Sequence, residues 1–552
     1  MWVPLLCWAG YHNIKINYHM MKKYRFPFIM ISLLICTVIY GQDSYIEKGL
    51  QSINSDAIRA QLGFLASDWM EGREAGEKGA WMASDYIAGM LQLYGVKPGG
   101  DFLPLQNYND SDRAQRSFFQ NFVMLKTVPG DKHILKVITQ EGDSFTTTDL
   151  VFNIDFSIYP LGQPLEYEAP VVFVGYGFRN QKIKYDDLIN ADLKGKFILK
   201  AVGYPSFADD LLTSSEINAS VMESERFIKE SGAIGILEFN PSSAVTGNPP
   251  VQDFMKQAPS ETNRQSGSFS ARYSLPGWTM PSDMIRINIS AKAAEAILRG
   301  TGINFNEYLD NADSNSTQAM PVTKNKSVYL KTDVSISQIP VRNVIGIIEG
   351  EKRDQIIVVG AHYDHLGIRD GFIWNGADDN ASGCVGALML AKAIMATGKK
   401  PEKTIIIALW TAEEKGLLGS RYYVNNLAFP RTYIRMNLNF DMISRYISDD
   451  NKNGVVMTYN RTCNNFKDIT VNNLRKHKID LQVNYQPSDN PSGGSDHRSF
   501  VEAGIPIMRF KPGHREEYHT PYDETETVDW DILEKIIRIS FANIWELANS
   551  SW

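Results

Sequence analysis

Histidine and carboxylate side chains recur at the ends of short apolar runs in the C-terminal half of the chain. Val358 to Ala361 leads directly into a histidine, Ile405 to Trp410 is followed by two glutamates, and an aspartate ends a third run. The complete set is His362, Asp364, Asp379, Glu413, Glu414, Asp441 and His519. Two histidines and three carboxylates, one of them bridging, satisfy two four- or five-coordinate zinc ions and leave a position for water. The composition is therefore that of a two-zinc hydrolase centre.

The adjacent pair Glu413 and Glu414 indicates how the chemistry could be divided. Neighbouring side chains point in different directions, so one can bind a metal while the other takes a proton from a metal-bound water. Acidic residues also favour helix N-termini, so a charged helix start is the alternative interpretation. Zinc is the favoured metal, and cobalt or manganese could occupy the same site.

The other members of the set also have simpler interpretations. Asp364 can accept the second N–H of a ligand imidazole and orient it. Asp379 could instead belong to a helix N-cap. Asp441 could be a strand-end turn residue, and His519 an exposed loop histidine. Because these elements occur together, the joint interpretation as a metal site is stronger than any single one.

From Val328 onward the sequence alternates between strand and helix patterns. The expected strands are Gln355–Ala361, Lys403–Trp410, Arg435–Phe440 and Ile505–Phe510. The expected helices are Ala381–Ala396, Gly416–Asn426 and Asp529–Ala548. Strands that are apolar on both faces and alternate with helices predict an α/β fold, with a mostly parallel sheet flanked by helices. Ligands in such folds bind outside the carboxyl ends of the strands, where the candidates lie.

Changes in composition divide the chain into four segments. Residues 1–41 are predicted to be an upstream segment and a signal peptide, and 42–150 the N-terminal part of the catalytic domain. Residues 151–325 are predicted to be an inserted β-rich domain, and 326–552 the main catalytic domain. The insert contains a long polar stretch, Asn240 to Arg272, of the kind that forms lids or binding loops.

The N-terminus predicts export to the periplasm or the extracellular space. A basic stretch, Met20–Arg25, precedes the apolar run Phe26–Tyr40, which has the length of a signal-peptide core and is too short to span a bilayer comfortably. Cleavage after Gly41 would leave a chain without a stable membrane span. A membrane anchor or lipidation at Cys36 is the alternative. The whole chain has a net charge of −7. Cleavage would remove the basic stretch and leave a still more acidic chain, which argues against nucleic acid as a partner.

The ordered motifs resemble the M28 family of zinc aminopeptidases. They are His362-Tyr-Asp364, Gly-Ala-Asp-Asp379-Asn-Ala-Ser-Gly, Ala-Glu413-Glu414-x-Gly-Leu-x-Gly-Ser, Asn-x-Asp441-Met-Ile and Tyr-His519-Thr-Pro-x-Asp. The resemblance covers Asn343 to Leu547 and extends to Ser67–Pro98. Residues 165–300 resemble a protease-associated domain, through Val-Gly-Tyr-Gly, Asp-Leu-Lys-Gly-Lys and Ser-Gly-Ala-Ile-Gly. The expected fold is therefore a zinc-peptidase α/β/α sandwich with an inserted protease-associated domain.

The resemblance implies which residues would bind each of two zinc ions. His362 and Asp441 would bind one ion, and Glu414 and His519 the other. Asp379 would bridge them.

The resemblance also implies roles for residues around the ligands. Glu413 would be the general base and later the general acid, and Asp364 would orient His362. Asp496 resembles a residue near the site in relatives, and Ser444 stands where relatives commonly have glycine. The implied function is an exported, bacterial-type aminopeptidase that hydrolyses N-terminal residues from peptides with a metal-activated water.

Three other functions are compatible with parts of the pattern. A glutaminyl cyclase-like acyltransferase would keep much of the ligand set with one zinc ion. A carboxypeptidase acting on acidic dipeptides would need arginines for the substrate carboxylate, and Arg445 and Arg498 are the candidates. A non-catalytic, receptor-like relative would lose ligands, whereas this chain keeps all of them.

Overall fold

The computed structural model describes residues 45–103, 115–158, 163–240, 271–277, 284–314 and 325–552, except residues 370, 447 and 492. The predicted signal peptide, Cys36 and most of the polar stretch 240–272 lie outside these residues. Within the described ranges, the chain forms no helix that is both long and apolar enough to cross a membrane.

The chain divides into two compact units. The first takes its described residues from Met1–Asn121 and Arg342–Trp552, and the second is Phe122–Val341. The predicted insert, 151–325, is shorter than the second unit at both ends. The reason is a strand pairing, because residues 134–139 of the strand Ile134–Glu141 pair with Lys326–Lys331. Both strands therefore belong to the second unit and not to the segments on either side of it.

Strands are numbered β1 to β22 in chain order. The first unit contains β1 (Lys97–Pro98), parts of β2 (Phe119–Pro129) and β14 (Val334–Ile348), β15 (Lys352–His362), β16 (Gly367–Arg369), β17 (Phe372–Trp374), β18 (Lys403–Trp410), β19 (Ile434–Asn439), β20 (Gly454–Asn460), β21 (Gln482–Ser488) and β22 (Ile507–Lys511). Its α-helices are 45–52, Ser55–Leu65, Lys78–Leu93, Gly383–Ala396, Leu418–Asn425, Asn465–Lys476, His497–Glu502 and Trp530–Asn549. Short helical turns are Asp68–Arg73, Ala377–Ser382, Arg431–Tyr433 and Thr525–Thr527.

The large sheet of the first unit has a parallel centre. Its order is β2-β14-β18-β15-β19-β22-β20-β21, with β1 also paired to β14. β15 is parallel to both β18 and β19, and β19 is parallel to β22. β14 is antiparallel to β18, and β20 is antiparallel to β22. The predicted α/β class is confirmed, and the sheet is mixed because its flanking strands reverse direction.

The central strand β18 shows why the sheet is covered on both sides. All of its residues are buried. Ile405, Ile407 and Leu409 belong to the apolar cluster shared with the helix Gly383–Ala396. Ile406, Ala408 and Trp410 belong to a second cluster, on the face that the helix Leu418–Asn425 covers. Successive side chains of a strand alternate between faces, so two helical layers bury one continuous apolar run.

The second unit has its own sheet and core. Its strands are β3 (Ile134–Glu141), β4 (Ser144–Leu150), β5 (Phe156–Ile158), β6 (Glu166–Phe173), β7 (Arg179–Asn180), β8 (Tyr185–Asp186), β9 (Phe197–Ala201), β10 (Gly235–Phe239), β11 (Arg272–Ser274), β12 (Ile285–Ile289) and β13 (Lys326–Lys331). Its helices are Ala208–Leu211, Ser214–Glu230, Ala291–Leu298 and Phe305–Asp313. The sheet order is β4-β3-β13-β6-β9-β10-β12-β5. This unit is therefore α/β, with parallel pairing of β6, β9, β10 and β12.

The predicted strands and helices of the catalytic segment lie close to the observed ones. One difference near the candidate residues concerns the helix expected to start at Ala381, which begins at Gly383. Asp379 and Asn380 have non-helical backbone angles, so the chain turns before the helix starts. Strands β20 and β21 and the helix between them were not predicted from the sequence.

Candidate metal centre

The candidate residues meet at the carboxyl end of the central strands. His362 is the last residue of β15, Glu413 and Glu414 follow β18, and Asp441 follows β19. Because β18, β15 and β19 run in the same direction, their carboxyl ends lie at one edge of the sheet. The sheet therefore brings together residues that are far apart in the sequence.

Two further candidates reach the same edge from turns. Asp379 lies in the turn Ala377–Ser382, which precedes a mostly buried helix. His519 lies in the loop after β22, with a left-handed φ of 52°. Ala412 and Met442, next to the strand-end acids, also have left-handed φ values. Such backbone angles cost energy in non-glycine residues and concentrate at functional sites.

Asp379 lies between two histidines. Its Oδ1 is 3.3 Å from Nε2 of His362, and its Oδ2 is 3.1 Å from Nε2 of His519. Asp441 Oδ1 completes the first group at 3.9 Å from Nε2 of His362. Glu414 Oε1 completes the second at 3.3 Å from Nε2 of His519. The structure brings together all five residues that the resemblance assigned as ligands, in the predicted pairs.

Glu413 lies beside the first group. One carboxylate oxygen of Glu413, one of Asp441 and a ring nitrogen of His362 all lie within 4.8 Å of one another. This position suits a base that takes a proton from water next to the ions. It also suits a metal ligand, so the role of Glu413 remains a prediction.

Asp364 makes different contacts from those expected. Its carboxylate accepts the main-chain N–H groups of Glu413 at 3.0 Å and Glu414 at 3.3 Å. Nδ1 of His362 lies 3.1 Å from the main-chain oxygen of Asp364 and 4.0 Å from its carboxylate. The main-chain oxygen therefore orients His362, and the carboxylate fixes the two glutamates. The turn that places this oxygen next to the imidazole could not be read from residue spacing.

Asp523 supports the bridging aspartate and was not predicted. Its carboxylate accepts the main-chain N–H groups of Asp378 and Asp379, each at 2.9 Å. Arg445 donates to Asp523 at 3.2 Å, while Ser444 Oγ donates to Asp378 Oδ1 at 2.7 Å. Asp523 is the last residue of the His519 motif, so the sequence could have indicated it as a candidate. Its hydrogen-bond partners could be identified only from the structure.

His365 is a further residue that sequence reasoning missed. It is fully buried, and its Nδ1 lies 2.9 Å from Glu414 Oε1 and 4.0 Å from Asp379 Oδ2. The signal was the second histidine of the motif Ala361–His365, to which no role was assigned.

Arg73 ties the N-terminal segment to the same turns. Its buried guanidinium donates to the main-chain oxygens of Tyr363, Leu65, Asn375 and Gly376 at 2.5–3.0 Å. Burial, the strongest influence, lowers the pKa of Arg73 despite the nearby acids. An arginine held by carbonyls acts as a positioning group, because its fork of donors matches several acceptors at once.

The ionisation of the site shows a shortage of positive charge. Burial opposes protonation of His519, yet its contacts with Asp379 and Glu414 raise its pKa to about 10. His362 behaves in the same way, with a pKa well above the usual range because of Glu413, Asp379 and Asp441. Burial acts against ionisation of Glu414, but the two nearby histidines lower its pKa to about 2. The histidine pKa values are thus raised and that of Glu414 is lowered, as expected when opposite charges lie close together.

The supporting acids have the opposite tendency. Burial raises the pKa of Glu413 well above the usual range and that of Asp364 to about 6. Burial likewise raises the pKa of Asp378 and of Asp496 to about 7. Buried acids next to one another resist further ionisation, because each additional negative charge repels those already present.

The donor atoms around His519 have the types and spacing that a zinc ion accepts. Ligand atoms at about 2.1 Å from one tetrahedral ion lie about 3.4 Å from one another. The distances of 3.1–3.3 Å from His519 Nε2 to the oxygens of Asp379 and Glu414 are close to this value. Imidazole nitrogens and carboxylate oxygens are also the ligands that zinc accepts. Binding of the ions themselves remains a prediction.

The two arginines proposed as carboxylate receptors are engaged elsewhere. Arg445 is buried and contacts Asp523, Asp378 and the main-chain oxygen of Thr527. Arg498 lies at the surface and pairs with Glu502 at 2.8 Å. The structure gives neither arginine an unoccupied position facing the ligands.

Comparison with known proteins identifies the family of this segment. Residues 343–544 match the family model described as peptidase family M28. A probable leucine aminopeptidase 2 from Trichophyton verrucosum is 33% identical over 166 residues, which are 30% of this chain and 32% of that protein. Leupeptin-inactivating enzyme 1 from Streptomyces exfoliatus is 33% identical over 171 residues, covering 30% and 34% of the two chains. The matched part thus spans about one third of the length of these relatives.

A solved structure extends the likeness of the fold. The aminopeptidase from Aneurinibacillus sp. strain AM-1 is 18% identical, with a TM-score of 0.50, and the match covers 92% of this chain and 97% of that one. At this identity the likeness concerns the fold alone. Residues 343–544 of this chain thus match the model of peptidase family M28, and the ordered motifs at the strand ends lie within that match.

Proposed function

We propose that the chain is an exported metallo-aminopeptidase that uses two zinc ions to remove N-terminal residues from peptides. The observation that carries the proposal is the position of Asp379, whose two carboxylate oxygens face His362 at 3.3 Å and His519 at 3.1 Å. A carboxylate between two imidazoles is the arrangement that a bridged pair of ions requires. The family of residues 343–544 and the names of the relatives support a peptidase reaction.

Five side chains would hold the ions. His362 and Asp441 would bind one, His519 and Glu414 the other, and Asp379 both. When bound, the pair supplies positive charge that polarises the scissile carbonyl and lowers the pKa of the attacking water.

Glu413 would move the proton. Its backbone is fixed by the carboxylate of Asp364, and its own carboxylate lies beside His362 and Asp441. It accepts a proton from the attacking water and returns it to the amide nitrogen that leaves as the new amine. Burial raises the pKa of Glu413, and a carboxylate with a raised pKa is a stronger base.

The proposed substrates are peptides with an apolar N-terminal residue. Relatives that match this chain are named leucine aminopeptidases. Tyr518 stacks on His519 with 3.9 Å between ring centroids and is 39% exposed, so it offers an aromatic surface next to a ligand. That surface suits a leucine side chain better than a charged one.

The alternative functions have less support. A one-zinc cyclase would leave one of the two ligand groups, His362 with Asp441 or His519 with Glu414, without an ion. Here both groups contact the same carboxylate, that of Asp379. A carboxypeptidase needs a cation for the substrate carboxylate, and Arg445 is already bound to Asp523.

An assay of aminoacyl p-nitroanilides tests the proposal. Zinc-loaded protein should release p-nitroaniline from leucyl substrate, a chelator should stop the reaction, and N-acetyl-leucyl substrate should not react. Cleavage of the acetylated substrate would refute an aminopeptidase. Cyclisation of a peptide with N-terminal glutamine, without release of free glutamine, would support the cyclase instead.

Export is tested separately. When the full chain is expressed in a bacterium with a periplasm, the mature protein should begin at Gln42 and be released with the periplasmic fraction. A cytoplasmic product that keeps residues 1–41 would contradict export.

A further inference from the structure

We propose that His365 is a positioning residue for the second metal group, and that its Nδ1–H holds Glu414 in the orientation in which it binds zinc. This inference rests on the proposed dizinc function and deepens it. The resemblance assigned one histidine to each ion and gave this third histidine no role.

The contact between His365 and Glu414 carries the inference. Nδ1 of His365 lies 2.9 Å from Glu414 Oε1, and the imidazole is fully buried. An ionised carboxylate only accepts hydrogen bonds, so Nδ1 must carry the proton in this contact. A hydrogen bond to the ligand carboxylate fixes its plane and leaves its remaining lone pairs for an ion.

The two histidines next to Glu414 differ in how firmly they are held. His519 comes from a loop and is 31% exposed, whereas His365 is 0% exposed. Their rings are 5.8 Å apart, and both have a nitrogen within 3.3 Å of Glu414 Oε1. His365 thus fixes Glu414 from the interior, independently of the loop that brings His519.

The packing around His365 keeps its ring in place. Its main-chain N–H donates to the oxygen of Arg73 at 3.1 Å. Gly376 lies against the ring, where an added Cβ would be 2.5 Å from Cδ2 of His365. Gly376 also has a left-handed φ of 58°, so both its backbone and this contact require glycine. The turn that begins there carries Asp379, so the same imidazole lies beside two ligand-bearing segments.

The distances favour a positioning role over direct binding. Nδ1 of His365 is 2.9 Å from Glu414 but 4.0 Å from Asp379 Oδ2, whereas Nε2 of His519 is nearly equidistant from these two residues. The second nitrogen, Nε2, makes no hydrogen bond with any residue that the structure describes. His365, Asp379 and Glu414 also have ligand atoms within 4.8 Å of one another, which would permit direct binding. The unequal distances from Nδ1 are those of a hydrogen bond to Glu414.

Zinc affinity of purified protein, measured by competition with a chromophoric chelator, tests the inference. His365→Leu should weaken one of the two sites about 10- to 100-fold and leave the other unchanged, as expected for loss of a group that orients a ligand. His365→Asn should keep both affinities within a few-fold, because its amide N–H lies near the position of Nδ1. His365→Gln should resemble His365→Leu, because its amide lies near the position of Nε2 instead.

His477→Leu is the matched control. His477 also has its Nδ1 next to a glutamate, 3.2 Å from Glu47 Oε1, away from the ligands. That variant should keep both zinc affinities. If His365→Leu does not fold, the comparison of His365→Asn with His365→Gln decides the question. Unchanged zinc affinity in His365→Leu, or equal affinities in the Asn and Gln variants, would overturn the inference.

X-ray absorption of the zinc-loaded protein distinguishes the remaining possibility. A positioning role predicts two imidazole ligands per pair of ions, and three would show that His365 binds directly, which overturns the inference. The proposed function fails on a different result, namely wild-type protein that does not bind two zinc ions or does not cleave leucyl substrates.

Discussion

The carboxylate of Asp523 accepts the main-chain N–H of Asp379 at 2.9 Å. The loop that carries His519 therefore also fixes the residue that lies between the two metal groups. A change at Asp523 should act on both groups at once, although Asp523 itself contacts neither ion.

Asp523→Ala should destabilise the protein by about 3–5 kcal/mol, because it leaves buried Arg445 without its closest carboxylate and two buried N–H groups without acceptors. Zinc loading should fall as well. Urea unfolding monitored by circular dichroism, with zinc analysis of the same samples, measures both effects. Asp489→Ala, which breaks an exposed pair with Arg461, should change stability by less than about 1 kcal/mol. Similar losses in the two variants would argue against a supporting role.

Glu413→Gln should lower kcat by about 10²- to 10⁴-fold while zinc content stays near that of the wild type, because it removes a base and not a ligand. Glu414→Gln should lose zinc from one site. Metal analysis beside steady-state kinetics separates the two cases. If Glu413→Gln also loses zinc, Glu413 is a ligand of the first group, as its position within 4.8 Å of His362 and Asp441 permits.

Removal of zinc should lower the melting temperature. Without cations, Asp379, Glu414 and Asp441 remain close together as ionised acids, with only protonated histidines to compensate. A ligand present at a thousand times its Kd stabilises the folded state by about 4 kcal/mol. Differential scanning fluorimetry with a chelator, and then with added zinc, measures the change. A melting temperature that changes neither with the chelator nor with added zinc would contradict zinc binding.

Arg73→Lys should destabilise the first unit by roughly 3 kcal/mol, since a lysine amine cannot reach the four carbonyls that the guanidinium contacts. Catalytic activity should fall with it, because two of those carbonyls lie in the turn before Asp379. Arg498→Lys at the surface is the control and should be near neutral. Denaturant midpoints of the two variants provide the measurement, and equal midpoints would exclude the positioning role.

The second unit should have its own pH dependence, caused by Asp187. Burial, the largest effect, raises the pKa of Asp187 from 3.8 to about 7 despite hydrogen bonds from Tyr185, Tyr308 and Phe178. Between these values the unfolded chain is ionised and the folded one is protonated, so the contribution of Asp187 to stability decreases as pH rises from about 4 to 7. Above pH 7 the contribution stays constant.

Comparison with Asp187→Asn isolates this effect. The melting temperature of the wild type relative to the variant should fall across that pH range, because the asparagine does not titrate. A difference that is independent of pH would show that Asp187 is ionised in the folded protein throughout.

The elements and ligands that could be predicted share one property. Each is indicated by a pattern within one short stretch of sequence, either an apolar run or a motif that follows it. β18 is an unbroken apolar run, and the ligands lie in short motifs after such runs. Apart from the ligand pairs that the family resemblance implied, contacts between stretches could not be predicted. The role of Asp364 depends on the turn after β15, and those of His365 and Asp523 depend on which carboxylate or N–H group lies opposite.

The pairing of β3 with β13 could not be predicted for the same reason. β3 and β13 are neighbours in a sheet but distant in the chain. The sequence of neither strand indicates which strand it pairs with. Sequence patterns report which residues prefer a strand, whereas pairing depends on the whole fold.

The first unit is built from two separate segments of the chain, which limits how the protein can be shortened. The helices Ser55–Leu65 and Lys78–Leu93 share an apolar cluster with the helix Gly383–Ala396, and Arg73 between them bonds to the turn before Asp379. A truncated protein that starts at residue 343 would keep the whole family match, 343–544, but would expose the helix Gly383–Ala396 to water. We expect such a fragment to aggregate on expression, so any minimal version should join residues 45–121 to 342–552.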